Sequence, residues 1–227
     1  MPRTQLTTEQ IARTRNALLD VAQKLYEASG IDGMSFRSIA AAHGCSATKP
    51  YLYFDSKADL VDGLRIRAYE WMHDVLVVAA SGARDPFEAL RNLAIAYVRA
   101  GLERPKMYEL LYSQAGAMAE TEPVLLKAKL AAIGVCRQVI GEVAASTGVD
   151  VIDDPETAAH QFWVAAHGLV SLQHGGFLVV GRTIDQLLPT LFASMIRGVT
   201  GANSKNAFDD LKVLREFETL NLDSNTP

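Results

Sequence analysis

SFRSIAAAHGCSATKPYLYF, residues Ser35 to Phe54, followed at once by Asp55-Ser56-Lys57, is the stretch on which the fold of this chain turns. Ser35 can cap a short helix that runs through Ala42, with Phe36, Ile39 and Ala40 facing inward. Gly44 turns the chain, since a tight turn between helices commonly needs the positive φ that glycine adopts freely. Cys45 is the next inward position, and Ser46 caps a third helix to about Tyr53. Helix, glycine turn and helix together form a helix-turn-helix whose second helix shows solvent a face of hydroxyls and one lysine.

Such a helix can lie in the major groove of DNA. Ser46, Ala47, Thr48 and Lys49 occupy its cap and first turn, where side chains meet base edges. Lys49 can reach a guanine O6/N7 pair, and Thr48 can offer a hydroxyl or a methyl. Tyr51, Tyr53 and Lys57 fall where phosphates flank the groove. Lys57 also stands in the first turn of the next helix, whose unpaired N–H groups favour an anion. Ser35 presents another helix N-terminus, and Arg37 follows it on an exposed face.

Outward from this stretch the chain reads as helices throughout. No period-2 run bounded by turn residues marks a strand. A first helix starts after Thr7 or Thr8 and ends at Gly30, with Ile11, Leu18, Val21, Ala22 and Leu25 on its buried face. Ser56 with Asp59 resembles a capping box opening a long helix to about Ala80. Asp85-Pro86, a cap with proline at the first helical position, opens another to about Glu103. Further helices are expected over 105–119, 123–147, 155–180 and 184–200, then an amphipathic stretch with Phe208, Leu211, Leu214, Phe217 and Leu220. The expectation is an all-α chain: a three-helix DNA-binding domain over 1–58 and a larger helical domain over 59–227.

Composition agrees with a globular chain of 227 residues, 49% hydrophobic and 21% charged. No apolar run approaches the ~18 uncharged residues of a membrane span, and MPRTQLTTEQ has no apolar segment of a secretory signal. Cys45 and Cys136, the two cysteines, imply neither a disulfide framework nor a zinc site, so a reduced, cytoplasmic setting is expected. Net charge is −4, but residues 1–57 carry seven Lys/Arg against five acids and come to +2, leaving −6 on the remainder. A polyanion is therefore met by the N-terminal quarter.

Residues from about Ala12 to Met72 resemble the N-terminal domain of TetR-family transcriptional regulators. The family pattern is a helix ending in glycine, a Thr/Ser-opened helix with Ile-Ala, then Gly-Val-Ser and a later Tyr-x-Tyr-Phe-x-Ser-Lys run. This chain carries Gly30, Ser35, Ile39-Ala40, Gly44-Cys45-Ser46 and Tyr51-Leu52-Tyr53-Phe54-Asp55-Ser56-Lys57 in register. The resemblance implies an all-helical homodimer on a palindromic operator, double-stranded DNA, and a C-terminal domain that binds a small molecule. A repressor released by a small hydrophobic ligand is the function expected. The competing reading is a helical, dimeric small-molecule-binding protein that does not bind DNA sequence-specifically. Two positions depart from the pattern. Cys45 replaces the usual valine and reads as a small packed hydrophobe. Pro50 stands where leucine is frequent; as the fourth residue after the cap it forfeits at most the first intrahelical bond, giving a slightly re-aimed recognition helix.

In the C-terminal part, Trp163 with His167-Gly168 looks like the Trp-His-Gly signature of one TetR subclass. Tyr97, Met107, Tyr108, Leu111, Tyr112, Met118, Phe162, Trp163 and His167 are candidates to line an apolar cavity with sparse polar tips, which suits a hydrophobic effector. His160, His167 and His174 recur every seven residues. That is a rise of about 10.5 Å, too far to share an ion bound at about 2 Å per ligand, so no metal is expected. Leu187, Leu188, Leu191, Phe192, Met195, Ile196 and Val199 spread over more than one face of the last long helix, which suggests a helical interface, the alternative being burial within its own subunit; the resemblance implies that this helix and the one before it pair with their symmetry mates as a four-helix bundle. No Gly-x-Ser-x-Gly elbow, phosphate-cradling glycine loop or His-Glu-x-x-His helix is present, so no enzyme activity and no cofactor are expected.

Overall fold

The computed structural model describes residues 7–116, 122–147, 154–178 and 181–200, and every regular element among them is a helix. Helix α1 spans Thr8–Gly33 and opens on a reciprocal cap, with Thr7 Oγ1 accepting from Gln10 N at 3.2 Å and Gln10 Oε1 from Thr7 N at 2.9 Å. Gly30 breaks its helical run at φ 69° and ψ −169°, where the sequence places the end, and one more turn follows. Its buried stripe is Leu18, Leu19, Ala22 and Tyr26, whereas Ile11 is exposed and Val21 and Leu25 are half-buried. The face is rotated from the expected one because Tyr26 and Leu19 go inward.

Helix α2 spans Phe36–His43, and Gly44 ends it in the left-handed region at φ 75°, its N–H bonded to the Ala40 and Ala41 carbonyls. Helix α3, Lys57–Ser81, starts as expected: Ser56 Oγ accepts from Asp59 N, and Asp59 Oδ2 accepts from Asp55 N, each at 3.1 Å. Helix α4, Pro86–Glu103, is capped by Asp85. Helix α5, Pro105–Leu111, stops well short of residue 119. Ser113 follows its last turn, and the serine hydroxyl accepts from Ala115 N at 3.2 Å, a local bond that competes with helix continuation. Helices α6, Pro123–Thr147, and α8, Ile184–Thr200, keep the expected limits. Helix α7, Pro155–His174, ends before residue 180 because Gly175-Gly176 closes it, Gly176 at φ 68°. The stretch from Phe208 to Leu220 and Met118 lie outside the described residues.

The chain divides into two compact units, Met1–Tyr69 with Lys106–Ala128, and Glu70–Pro105 with Lys129–Pro227. In the first, the Arg67 guanidinium pairs with Asp20 at 2.7 Å and donates to the Asn16 carbonyl at 3.0 Å, tying α3 to α1. Tyr69 donates to the Leu111 carbonyl at 2.6 Å, which fixes α5 on α3. Asp62 and Arg65 form an ion pair at 3.0 Å with side chains only 1–2% exposed. Gly116 lies over that pair so closely that an added methyl would overlap the Asp62 carboxylate. In the second unit α4 packs on α7 and α8, and Phe162 of α7 meets Phe192 of α8 at 5.8 Å between ring centroids.

Candidate nucleic-acid interface

The recognition segment is where the structure departs most from the sequence reading. Residues 46–53 form no α-helix; they make overlapping three-residue turns and a 3-10 helix, Pro50–Leu52. Lys49 N bonds the Ser46 carbonyl at 3.0 Å, Leu52 N the Lys49 carbonyl at 3.1 Å, and Tyr53 N the Pro50 carbonyl at 3.0 Å. The cause is Pro50. Lacking an N–H, it cannot bond the Ser46 carbonyl to open an α-helix, and Lys49 takes that acceptor one residue earlier. The Ser46 hydroxyl is correspondingly not a backbone cap; it meets the Thr48 hydroxyl at 3.3 Å.

Aromatic packing holds these turns in place. Pro50 and Phe54 are buried, and Phe36 of α2 meets Tyr51 edge-on at 4.6 Å and Phe54 at 6.3 Å. Arg15 of α1 covers the Phe54 ring at 4.7 Å while pairing with Asp59 at 3.3 Å. Three stretches of chain are thereby pinned around the turn, so the segment is presented by a rigid support.

Against that support Ser35, Arg37, Ser46, Ala47, Thr48, Tyr51 and Lys57 are exposed, and Lys49 and Tyr53 are half-buried. All nine reach water. One residue absent from the sequence expectation joins them: Leu52, 74% exposed, more than Tyr51 at 63%. The signal was the spacing, because Leu52 stands two residues from both Pro50 and Phe54, which are buried, and so falls on the opposite side of the turn.

The residues expected to bind an effector divide between the units. Tyr108, Leu111 and Tyr112 belong to the first, where Tyr108 and Leu111 are buried and the Tyr108 and Tyr112 rings stand 5.3 Å apart. Tyr97, Phe162, Trp163 and His167 belong to the second, where Trp163 Nε1 donates to the Tyr97 hydroxyl at 3.2 Å. His167 lies 3.2 Å from Ser171 Oγ through Nε2, and burial pulls its pKa below the ordinary histidine value, so it is neutral at pH 7. A groove of about 1060 Å³ lies in the same unit on other residues: Val77 and Ala80 of α3, Leu130, Val135 and Val139 of α6, with Glu142 and Glu156 among its polar groups. Among the described residues no group of three or more His, Cys, Asp or Glu could hold a metal ion, and no helix is long and apolar enough to cross a membrane.

A supported helix-turn-helix with an outward polar and aromatic row, followed by a second helical unit, defines a class: DNA-binding regulators. Residues 18–64 match the family model for bacterial regulatory proteins of the tetR family, and residues 90–198 match that for the tetracyclin repressor-like C-terminal domain. The chain belongs to the TetR family of transcriptional regulators and is a DNA-binding regulator of transcription. No curated protein matches it in sequence. Among solved structures, a protein of unknown function from Rhodococcus sp. RHA1 is 23% identical with a TM-score of 0.71, over 88% of this chain and 100% of that one. RolR in complex with resorcinol is 19% identical, TM-score 0.63, over 97% and 98%. The regulator FadR from Bacillus subtilis in complex with stearoyl-CoA is 12% identical, TM-score 0.63, over 81% and 98%. At these identities the likeness is one of fold.

Proposed function

We propose that the chain is a homodimeric repressor, acting in the cytoplasm on a palindromic operator and released from it by a small hydrophobic molecule. Residues 1–58 contact DNA and residues 59–227 dimerise and bind the effector. The observation that carries this reading is the outward row at 46–52, pinned from behind by Phe36, Pro50 and Phe54. Lys49 and Thr48 read base edges, while Lys57, Tyr51, Tyr53, Ser35 and Arg37 hold phosphates. In the dimer two such rows stand about 34–36 Å apart, one turn of DNA.

Dimerisation through α7 and α8 is supported by large apolar groups left in water on α7, Val164 and Leu172, and just after it, Phe177, the last 70% exposed. The effector reading is supported by the resorcinol and stearoyl-CoA held by two proteins of the same fold. Tyr97, Phe162, Trp163 and His167, all of the second unit, are proposed to hold its apolar body, and that unit is assigned to the Trp-His-Gly subclass. No catalytic step belongs to this function. The test is selection of duplexes from a random library by the full chain, with sedimentation of the complex. Enrichment of an inverted repeat bound by two protomers is expected; retention of duplexes without sequence preference would reject the proposal.

A further inference from the structure

The outward row sets two apolar side chains, Ala47 and Leu52, among the hydrogen-bonding groups of Ser46, Thr48, Lys49 and Tyr51. Ser46, Ala47, Thr48, Tyr51 and Leu52 are all exposed. The Thr48 hydroxyl is engaged by Ser46 Oγ at 3.3 Å, and Lys49, the one cation between Ser46 and Phe54, is half-buried. Tyr51 is held edge-on by Phe36. Leu52 stays 74% in water on a rigid turn, an apolar exposure that opposes folding and that the packing of the unit does not require. In the major groove the base-edge group that matches an apolar side chain is the C5-methyl of thymine.

We propose that this row also reads thymine methyl groups and that Leu52 is a specificity-determining residue against one of them. The proposal rests on the DNA-binding reading above. It implies half-sites in which thymine is selected for its methyl, at positions where a polar recognition helix would select through hydrogen bonds.

Deoxyuridine keeps every pairing edge of thymine and lacks only the methyl, so it tests the contact without altering the protein. The full chain selects its site, and each thymine of one half-site is then replaced in turn by deoxyuridine. At one or more positions affinity is expected to fall about fourfold, the value of one buried methyl. In Leu52→Ala that loss should vanish at one of those positions, with an unchanged thermal midpoint because the side chain lies on the surface. Unchanged affinity at every deoxyuridine position, or equal losses in wild type and Leu52→Ala, would overturn the proposal while the regulator reading stands. Failure to select any sequence would remove both.

Discussion

Lys57 and Lys49 are both lysines beside the same turn, yet they are placed for different tasks. Lys57 is exposed in the first turn of α3, whose N–H groups favour a phosphate. Lys57→Ala should weaken binding to all duplexes alike and lower the slope of log K against log salt by about one, measured by titration at several salt concentrations. An unaltered slope would deny the phosphate contact. Lys49, half-buried in the row proposed to meet base edges, should act on sequence instead. Lys49→Gln is expected to shift the sequence that the protein selects from a random library, and an identical selected site would reject its role in base readout. Backbone matters at the same scale. Gly44 holds φ 75° with open space where a Cβ would stand, so Gly44→Ala should cost about 1–2 kcal/mol through conformation alone.

Helices raise the opposite case for glycine. Gly134 and Gly141 lie inside α6 with nothing within 4 Å of an added Cβ. Each Gly→Ala change there should stabilise by about 0.5–1 kcal/mol, read from urea unfolding, because alanine loses less backbone freedom on folding. Between α1, α3 and α5 the relevant groups are phenols. Burial first, and the Glu109 carboxylate second, push the Tyr26 hydroxyl up to about 12; burial does the same to Tyr69. The unfolded chain releases these protons near pH 10 and the folded chain holds them, so their stabilisation is full below pH 10 and lost as pH rises towards 12. Unfolding midpoints should therefore fall between pH 10 and 11, and less so in Tyr26→Phe/Tyr69→Phe. Element starts were legible because they are local: Thr7, Ser35, Ser56 and Asp85 announce their helices through cap chemistry alone. Ends were less so. The Ser113 turn after α5 and the glycine pair after α7 interrupt apolar patterns that continue past them. In the recognition segment, seven of the nine residues expected at the surface are exposed, but the 3-10 geometry follows from an absent N–H at Pro50, and the exposed Leu52 was not among the residues expected there.

At the scale of the whole molecule, the proposed release of DNA by an effector would be a difference in affinity between two conformers, and it would be reciprocal: operator DNA would weaken effector binding by the same factor. The first unit has a further property that bears on how such proteins can be rebuilt. It is stitched from two stretches of chain separated by Glu70–Pro105. The Leu111 carbonyl that receives the Tyr69 hydroxyl, and the Gly116 backbone that roofs the Asp62–Arg65 pair, both come from the later stretch. Grafting residues 1–69 alone onto a foreign domain would remove the backbone that covers a desolvated ion pair and the Leu111 carbonyl that receives the Tyr69 hydroxyl. A hybrid retaining Lys106–Ala128 as well should melt at a higher temperature than one made with a single cut. Modular exchange of sensing halves in this protein thus needs three seams, and a designer who cuts only at the visible end of the DNA-reading part would inherit an instability unrelated to DNA.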